Sequence, residues 1–336
     1  MKPESVLGPW IRRFLLEYMM KERSLSIHTQ HSYRDSISLL LHFCAEDTHK
    51  HPGDLLIDDL TPERVKAFLL HLEQQRHCTV RTRNQRLFAI HALARFVESN
   101  SPEHIEWATR LRTIPSKRMI REALAYLEKE EMNALLEAPD ANTAIGHRDR
   151  VLFLFLYNSG CRADEAAQVR IEDLELNERS HATAFSSVRI MGKGRKVRYC
   201  PLWPKTIQGL LSIIEGRSNT QQHVFLNRYN QPLTRFGIHA LVKRYVAKAG
   251  KSCRSLNNKR VSPHTIRHTT ATHLLRAGVD LNTIRVWLGH VSIDTTNIYA
   301  EVDFETKARA LTVCEIRPSL GRINPNPDII SFLRRL

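Results

Sequence analysis

The sequence predicts a mainly α-helical protein of two domains, the second carrying a small antiparallel β-sheet. Three observations predict it. Apolar residues recur at helical spacing through most of the chain. Two β-like segments, 184–191 and 196–202, meet at the turn Gly192-Lys193-Gly194-Arg195, which reads as one hairpin. A basic stretch with a proline and little periodicity, 111–126, separates two helical regions, 1–110 and 127–316, and a further segment, 317–336, reads as an arm. A chain of 336 residues, 42% hydrophobic, can bury a core in each domain.

The elements follow in order. Val6 to Arg23 carries Trp10, Phe14, Leu15, Tyr18 and Met19 at helical spacing, and Ser26 to Phe43 carries Ile27, Tyr33, Ile37, Leu40 and Leu41. Thr61-Pro62-Glu63 opens a third helix, with Thr61 as cap and Pro62 in the first turn. Thr79 to Ser99 forms a fourth, burying Leu87, Phe88, Ile90, Leu93 and Phe96. Leu127 to Glu137 begins the second domain. Asp149 to Asn158 is apolar on nearly every side and is expected to be a central buried helix. Gly160 marks a tight passage into the next helix, and Leu233 to Ala249 is helical again. From Ser262 onward the chain reads as successive helix ends. Ser262 caps, Pro263 suits the first turn, and Gly278 stops that helix. Asp280 or Asn282 starts another that ends at Gly289, and Ser292 caps a third that carries Tyr299. Ile329 to Leu336 is expected to form a short terminal helix.

Charge narrows the function. Fifty Lys and Arg face 35 Asp and Glu, a net charge of +15. Residues 1–115 hold a balance of +2 and residues 116–336 a balance of +13. From Gly216 to Val279 there is no carboxylate, while 12 Lys or Arg occur. Such a run favours a polyanionic partner, with double-stranded DNA leading. A membrane partner is disfavoured: no apolar run approaches the roughly 18 residues of a span, and no segment joins the charge to a long apolar face. The start, Met1 to Trp10, lacks a signal peptide's regions, and the six cysteines are scattered without a C-x-x-C pair. A reducing cytoplasm is the expected location, without disulfides. Arg81, Arg83 and Arg86 lie in the early turns of the fourth helix with no acid between Glu73 and Glu98, and Lys243 and Arg244 lie on a later one. Together with Arg195 on the hairpin tip they are candidate phosphate contacts.

The polar candidates for chemistry are Arg162, Glu165, Lys193, His264, Arg267, His290 and Tyr299. Converging arginines clamp the non-bridging oxygens of a phosphate by planar, charge-assisted hydrogen bonds. A lysine on a hairpin tip can reach a leaving oxygen and give it a proton. A tyrosine hydroxyl has an unperturbed pKa of about 10. It becomes a nucleophile when arginines stabilise the anion and a histidine takes the proton. Together these roles describe phosphoryl transfer through a phosphotyrosine, with no metal or other cofactor. Each residue also has a plainer role. Arg162 and Glu165 at i, i+3 suit an ordinary ion pair, Lys193 a solvated turn, and Tyr299 a half-buried helix position. His264 and His268 have the i, i+4 spacing of a zinc helix, but the segment is H-T-I-R-H, with arginine where a zincin has glutamate. His268 and His273 are expected to pack within their helix.

The ordered set resembles the tyrosine recombinases of the phage-integrase family. The matching residues are Ser159-Gly160-Cys161-Arg162-Ala163-Asp164-Glu165, Gly192 through Arg198, His264-Thr265-Ile266-Arg267-His268, Leu288-Gly289-His290, and Tyr299 nine residues after His290. Residues 24–43 resemble the family's helical core-binding (SAM-like) domain, so the likeness covers essentially the whole chain. One departure is Asn158-Ser159-Gly160 where a T-G pair is common.

The resemblance implies that Tyr299 attacks the scissile phosphate and leaves a 3′-phosphotyrosyl bond and a free 5′-hydroxyl. It implies that Arg162, Arg267 and His290 hold the phosphate, that Lys193 protonates the leaving oxygen, that His264 helps proton transfer, and that Glu165 orients the site. It further implies a C-shaped clamp of two domains on DNA and neither ATP nor metal. Four protomers, a tetramer of two dimers, exchange strands through a Holliday junction, with the arm docked on a neighbouring protomer. Integration or excision of a mobile element is the expected use, with accessory proteins or a second recombinase as further partners. A type IB topoisomerase and a catalytically idle DNA-binding regulator are the alternatives.

Overall fold

The computed structural model describes residues 5–119, 125–176, 186–192, 194, 196–217 and 222–289. The chain divides into two units, Met1–Arg121 and Glu122–Leu336.

The first unit is helical. α1 (Leu7–Arg13) runs on into a π-helical segment, Phe14–Glu22. The expected single α-helix over Val6–Arg23 therefore widens at Phe14, and the Arg23 N–H bonds the Tyr18 carbonyl five residues back. The i→i+5 repeat suits the side chains: Phe14 and Met19, five apart, are both fully buried. α2 (Ile27–Thr48), α3 (Pro62–Gln74) and α4 (Val80–Asn100) start just after Ser26, Thr61 and Thr79, where the sequence places the helix starts. The hydroxyls of Ser26, Thr61 and Thr79 accept from the N–H groups of Thr29, Arg64 and Thr82. Their apolar stripes close one core around Phe14, Phe68, Leu72, Leu87, Leu93 and Phe96, although Phe88 is exposed rather than buried.

α5 (Ile105–Arg112) belongs to this unit, and Leu111 and Ile114 are buried in its core although the sequence assigns 111–126 to a linker. The chain beyond stays pinned to α4. Arg83 donates to the Pro115 carbonyl at 3.1 Å, and Asn84 bonds Lys117 through both N–H and C=O. Residues without apolar periodicity here hold their place by polar anchors from a neighbouring helix.

The second unit surrounds α7 (Ala144–Ser159), whose Val151, Leu152, Phe153, Phe155 and Leu156 are all buried. α6 (Lys129–Glu137), α9 (Pro204–Ile214) and α10 (Arg235–Ala249) contribute to the same core. Gly160 ends α7 at φ 58°, a left-handed residue, and Leu288 approaches so closely that a Cβ there would collide with it. α8 (Ala163–Gln168) follows at once. Three strands, β1 (Leu174–Glu175), β2 (Ser187–Met191) and β3 (Val197–Pro201), make an antiparallel sheet in sequence order. The β2–β3 hairpin pairs Met191 with Val197 and Arg189 with Tyr199. α11 (Pro263–Arg276) has Ser262 as its cap, accepting from the Thr265 N–H. In α12 (Leu281–Leu288) Asp280 accepts from Asn282 and Thr283, and Gly289 closes the helix at φ 66°.

Candidate active site

The site is built on the turn between α7 and α8. Arg162 occupies the N-cap of α8 and Glu165 its third position, so the carboxylate turns back onto the Arg162 N–H at 2.9 Å. Glu165 Oε1 also accepts from Arg162 Nη1 at 2.7 Å. Its Oε2 accepts from Arg198 Nη2 at 2.6 Å. Glu165 is 7% exposed. Burial alone would raise its pKa, but the bond and charge of Arg198 and the bonds from Arg162 outweigh it and hold the group below the ordinary carboxylate range. The result is a fixed anion between two guanidiniums, with Arg162 at 35% exposure the outward one.

Arg267 reaches the same turn from α11. It is 3% exposed and donates to the carbonyls of Gly160 and Leu288, each at 2.7 Å, joining the ends of α7 and α12. Cations at helix C-termini meet both the unpaired carbonyls and the dipole. His264, one turn earlier on α11, is exposed, and its ring stacks 6.5 Å from that of His268. His268 is pushed down to about 4 by burial and then by the charges of His264 and Arg267, so it is a neutral imidazole near pH 7. The plainer reading of His268 and His273 as packed helix residues fits: His273 Nδ1 meets Tyr157 Oη at 2.6 Å. Among the described residues no three His, Cys, Asp or Glu side chains are grouped as metal ligands. Burial lifts the Cys161 and Cys200 thiols to about 12, which makes them inert bystanders.

The structure thus brings Arg162, Glu165 and Arg267 onto one turn and places His264 on the same helix as Arg267. Lys193, Arg195, His290 and Tyr299 lie outside the described residues, as do the expected helix from Ser292 and the terminal helix. Of the candidate phosphate contacts, Arg81 and Lys243 are exposed and Arg86 is half-buried. Arg83 is a correction. It is 6% exposed and bonds Asn84 and the Pro115 carbonyl, because its side chain leaves α4 toward the chain segment that packs there. Arg244 is exposed yet pairs with the buried Asp149 at 3.1 Å and lies over the Tyr245 ring.

One residue escaped the sequence reading. Arg198 sits in the motif segment, but its role follows from the fold. It is 8% exposed, inward-facing on β3, and joins Glu165 to the Trp287 carbonyl at 2.9 Å. Its strand neighbours Val197 and Tyr199 are exposed, while Cys200, two residues on and so on the same face as Arg198, is buried with it. The only cue was a charged residue inside a β-like run.

Comparison with known proteins gives the family. The family model described as "Phage integrase family" matches residues 125–306, and a phage-integrase N-terminal SAM-like domain matches residues 10–105. A putative integrase/recombinase, y4rC, of Sinorhizobium fredii is 34% identical over 340 residues, covering 100% of both chains. A tyrosine recombinase XerC of Chlamydia trachomatis is 32% identical over 313 residues, covering 87% of this chain and 93% of that one. In fold, the chain is similar to the Tn1549 transposon integrase solved with circular intermediate DNA, at TM-score 0.66 and 18% identity, over 90% of this chain and 98% of that one. With both domain models matched in order and a relative aligned end to end, the chain belongs to the phage integrase family of tyrosine recombinases.

Proposed function

We propose that this protein is a site-specific DNA recombinase that cuts and rejoins double-stranded DNA through a 3′-phosphotyrosine on Tyr299. The observation that carries the reading is the charged, partly exposed Arg162, held in place by an ionised Glu165 on the turn that Arg267 braces. A guanidinium fixed by a buried carboxylate is a preorganised donor for a phosphate, because no reorganisation is needed when charge builds up.

In the proposed cycle Tyr299 Oη attacks phosphorus as His264 takes its proton. The P–O5′ bond breaks, and Lys193 protonates the leaving 5′ oxygen. Arg162 and His290 neutralise the non-bridging oxygens, Arg267 joins them by giving up one of its bonds to the Gly160 and Leu288 carbonyls, and the 5′-hydroxyl of a partner strand reverses the step. One phosphodiester is exchanged for another phosphate ester, so no ATP is consumed, and the arginines supply the positive charge that a metal would otherwise bring. DNA contacts fall to Arg81, Arg86, Arg195 and Lys243, with Arg244 sharing its charge with Asp149. The relatives' names favour recombination over topoisomerase-type relaxation or an idle regulator, with integration or excision of a mobile element as the use. In this reading a tetramer of two dimers assembles on DNA, the 317–336 arm docks onto a neighbour, accessory proteins or a second recombinase assist, and the work is done in the cytoplasm.

The test is a suicide DNA duplex that traps the covalent intermediate. Wild-type protein is expected to form an adduct in EDTA without ATP, and Tyr299→Phe to bind DNA with unchanged affinity and form none. An adduct with Tyr299→Phe would mean that another residue is the nucleophile.

A further inference from the structure

We infer that Arg198 is a positioning residue, one that sets the hairpin turn carrying Lys193 and the helix end preceding His290 against the Arg162–Glu165 pair. The inference rests on the recombinase reading above.

Arg198 lies on β3, five residues after Lys193. Nη2 donates to Glu165 Oε2 at 2.6 Å while Nε donates to the Trp287 carbonyl at 2.9 Å, near the end of α12. The other oxygen of the same carboxylate holds Arg162 Nη1 at 2.7 Å. One planar fork therefore ties the sheet to two separate helices at fixed angles. A lysine ammonium carries the same charge on a single point and does not span both acceptors in that way.

Two glycines give the second, independent observation. A Cβ placed on Gly289 would lie 3.1 Å from Arg198 Nη1 and 3.2 Å from its Cδ. One placed on Gly192 would lie 3.5 Å from Arg198 Nη1 and 3.5 Å from Glu165 Oε1. Two remote stretches of backbone thus come against one guanidinium, each at a glycine. The residue that follows Gly192 in the chain is Lys193, and the one that follows Gly289 is His290. The Gly192 N–H bond to the Lys196 carbonyl, 2.8 Å, closes the hairpin at the same place. With a side chain 7% exposed and its donors on Glu165 and the Trp287 carbonyl, Arg198 acts through these neighbours, while Arg162 at 35% is the more open of the two.

The experiment compares full-length wild type with Arg198→Lys and Gly192→Val. Three quantities are read: thermal midpoint, DNA affinity, and single-turnover cleavage of a saturating suicide duplex. Cleavage is measured with oxygen and with sulfur at the bridging 5′ position. Arg198→Lys is expected to fold and to bind DNA within about threefold of wild type while cleavage slows about 10²-fold, the cost of a misplacement near 1 Å. Sulfur, which needs no proton to leave, is expected to restore part of that loss, since Lys193 is among the displaced groups. Wild-type cleavage by folded Arg198→Lys overturns the inference, as does a defect wholly in affinity or one that sulfur leaves untouched. Should Arg198→Lys fail to fold, Gly192→Val decides. Gly192 lies outside the left-handed region and a Cβ there would meet Arg198 and Glu165 at ordinary contact distance, so the two methyls of a valine are what would crowd the pair, without removing a charge. Slowed cleavage with retained binding supports the inference, and an unchanged rate overturns it. If wild type itself forms no adduct, the recombinase reading falls and this inference falls with it; an active wild type beside an unimpaired variant sinks the inference alone.

Discussion

Glu165 shows how a single side chain acquires a meaning that its spacing alone does not carry. At i, i+3 from Arg162 it suits any helix start, yet burial with two guanidiniums makes it a permanent anion that orients rather than titrates. His268 is the opposite case, a base that burial and neighbouring cations keep neutral. Its folded-state pKa is about 4 against about 6.5 in an unfolded chain. As pH falls below about 6.5 the unfolded state takes up a proton that the folded state refuses, so stability declines down to about pH 4 and this contribution then levels off. Thermal midpoints measured from pH 7 to pH 4 are expected to fall less in His268→Asn than in wild type. Equal slopes would place the proton uptake elsewhere. Arg83 and Arg198 mark what was illegible at this scale. Both are cations whose partners, Pro115 and Glu165, are 32 and 33 residues away in the chain.

The elements were more legible than the contacts between them. Ser26, Thr61, Thr79, Ser262 and Asp280 cap their helices as their chemistry requires, because a cap bonds only residues two or three positions away. The same locality explains the failures. The π-helical run after Phe14 and the docking of residues 115–117 on α4 both answer to distant partners. α7 combines both lessons. Its apolar circumference announces burial, but Asp149 within it is fully buried and bonded to Arg148, Arg244 and Tyr245, which sequence periodicity does not reveal. Asp149→Ala leaves Arg148 without its anion in the interior. A loss of about 3–5 kcal/mol is expected for breaking such a pair, read as a lower denaturant midpoint. A loss under about 1 kcal/mol, the range of exposed pairs, would show that solvent already screens it.

For the molecule as a whole, charge is the property that binds sequence to function. A net +15, concentrated in residues 116–336, implies that DNA binding releases counterions. Affinity is expected to fall by at least about 10³-fold between about 50 and about 200 mM salt, the loss for roughly six or more phosphate contacts. A flat response in a filter or anisotropy titration would mean that binding rests on groups other than the basic residues. Two-domain organisation, mainly helical class and the ordered motifs of the family were determined by the sequence alone, since periodicity, caps and motifs are local signals. Tertiary structure alone decided that Glu165 is shared between Arg162 and Arg198, that Arg267 braces the ends of α7 and α12, and that Arg83 serves the fold. The reason is that burial and hydrogen-bond partnership depend on segments far apart in the chain, and a buried charge is stable only where another element happens to supply its partner.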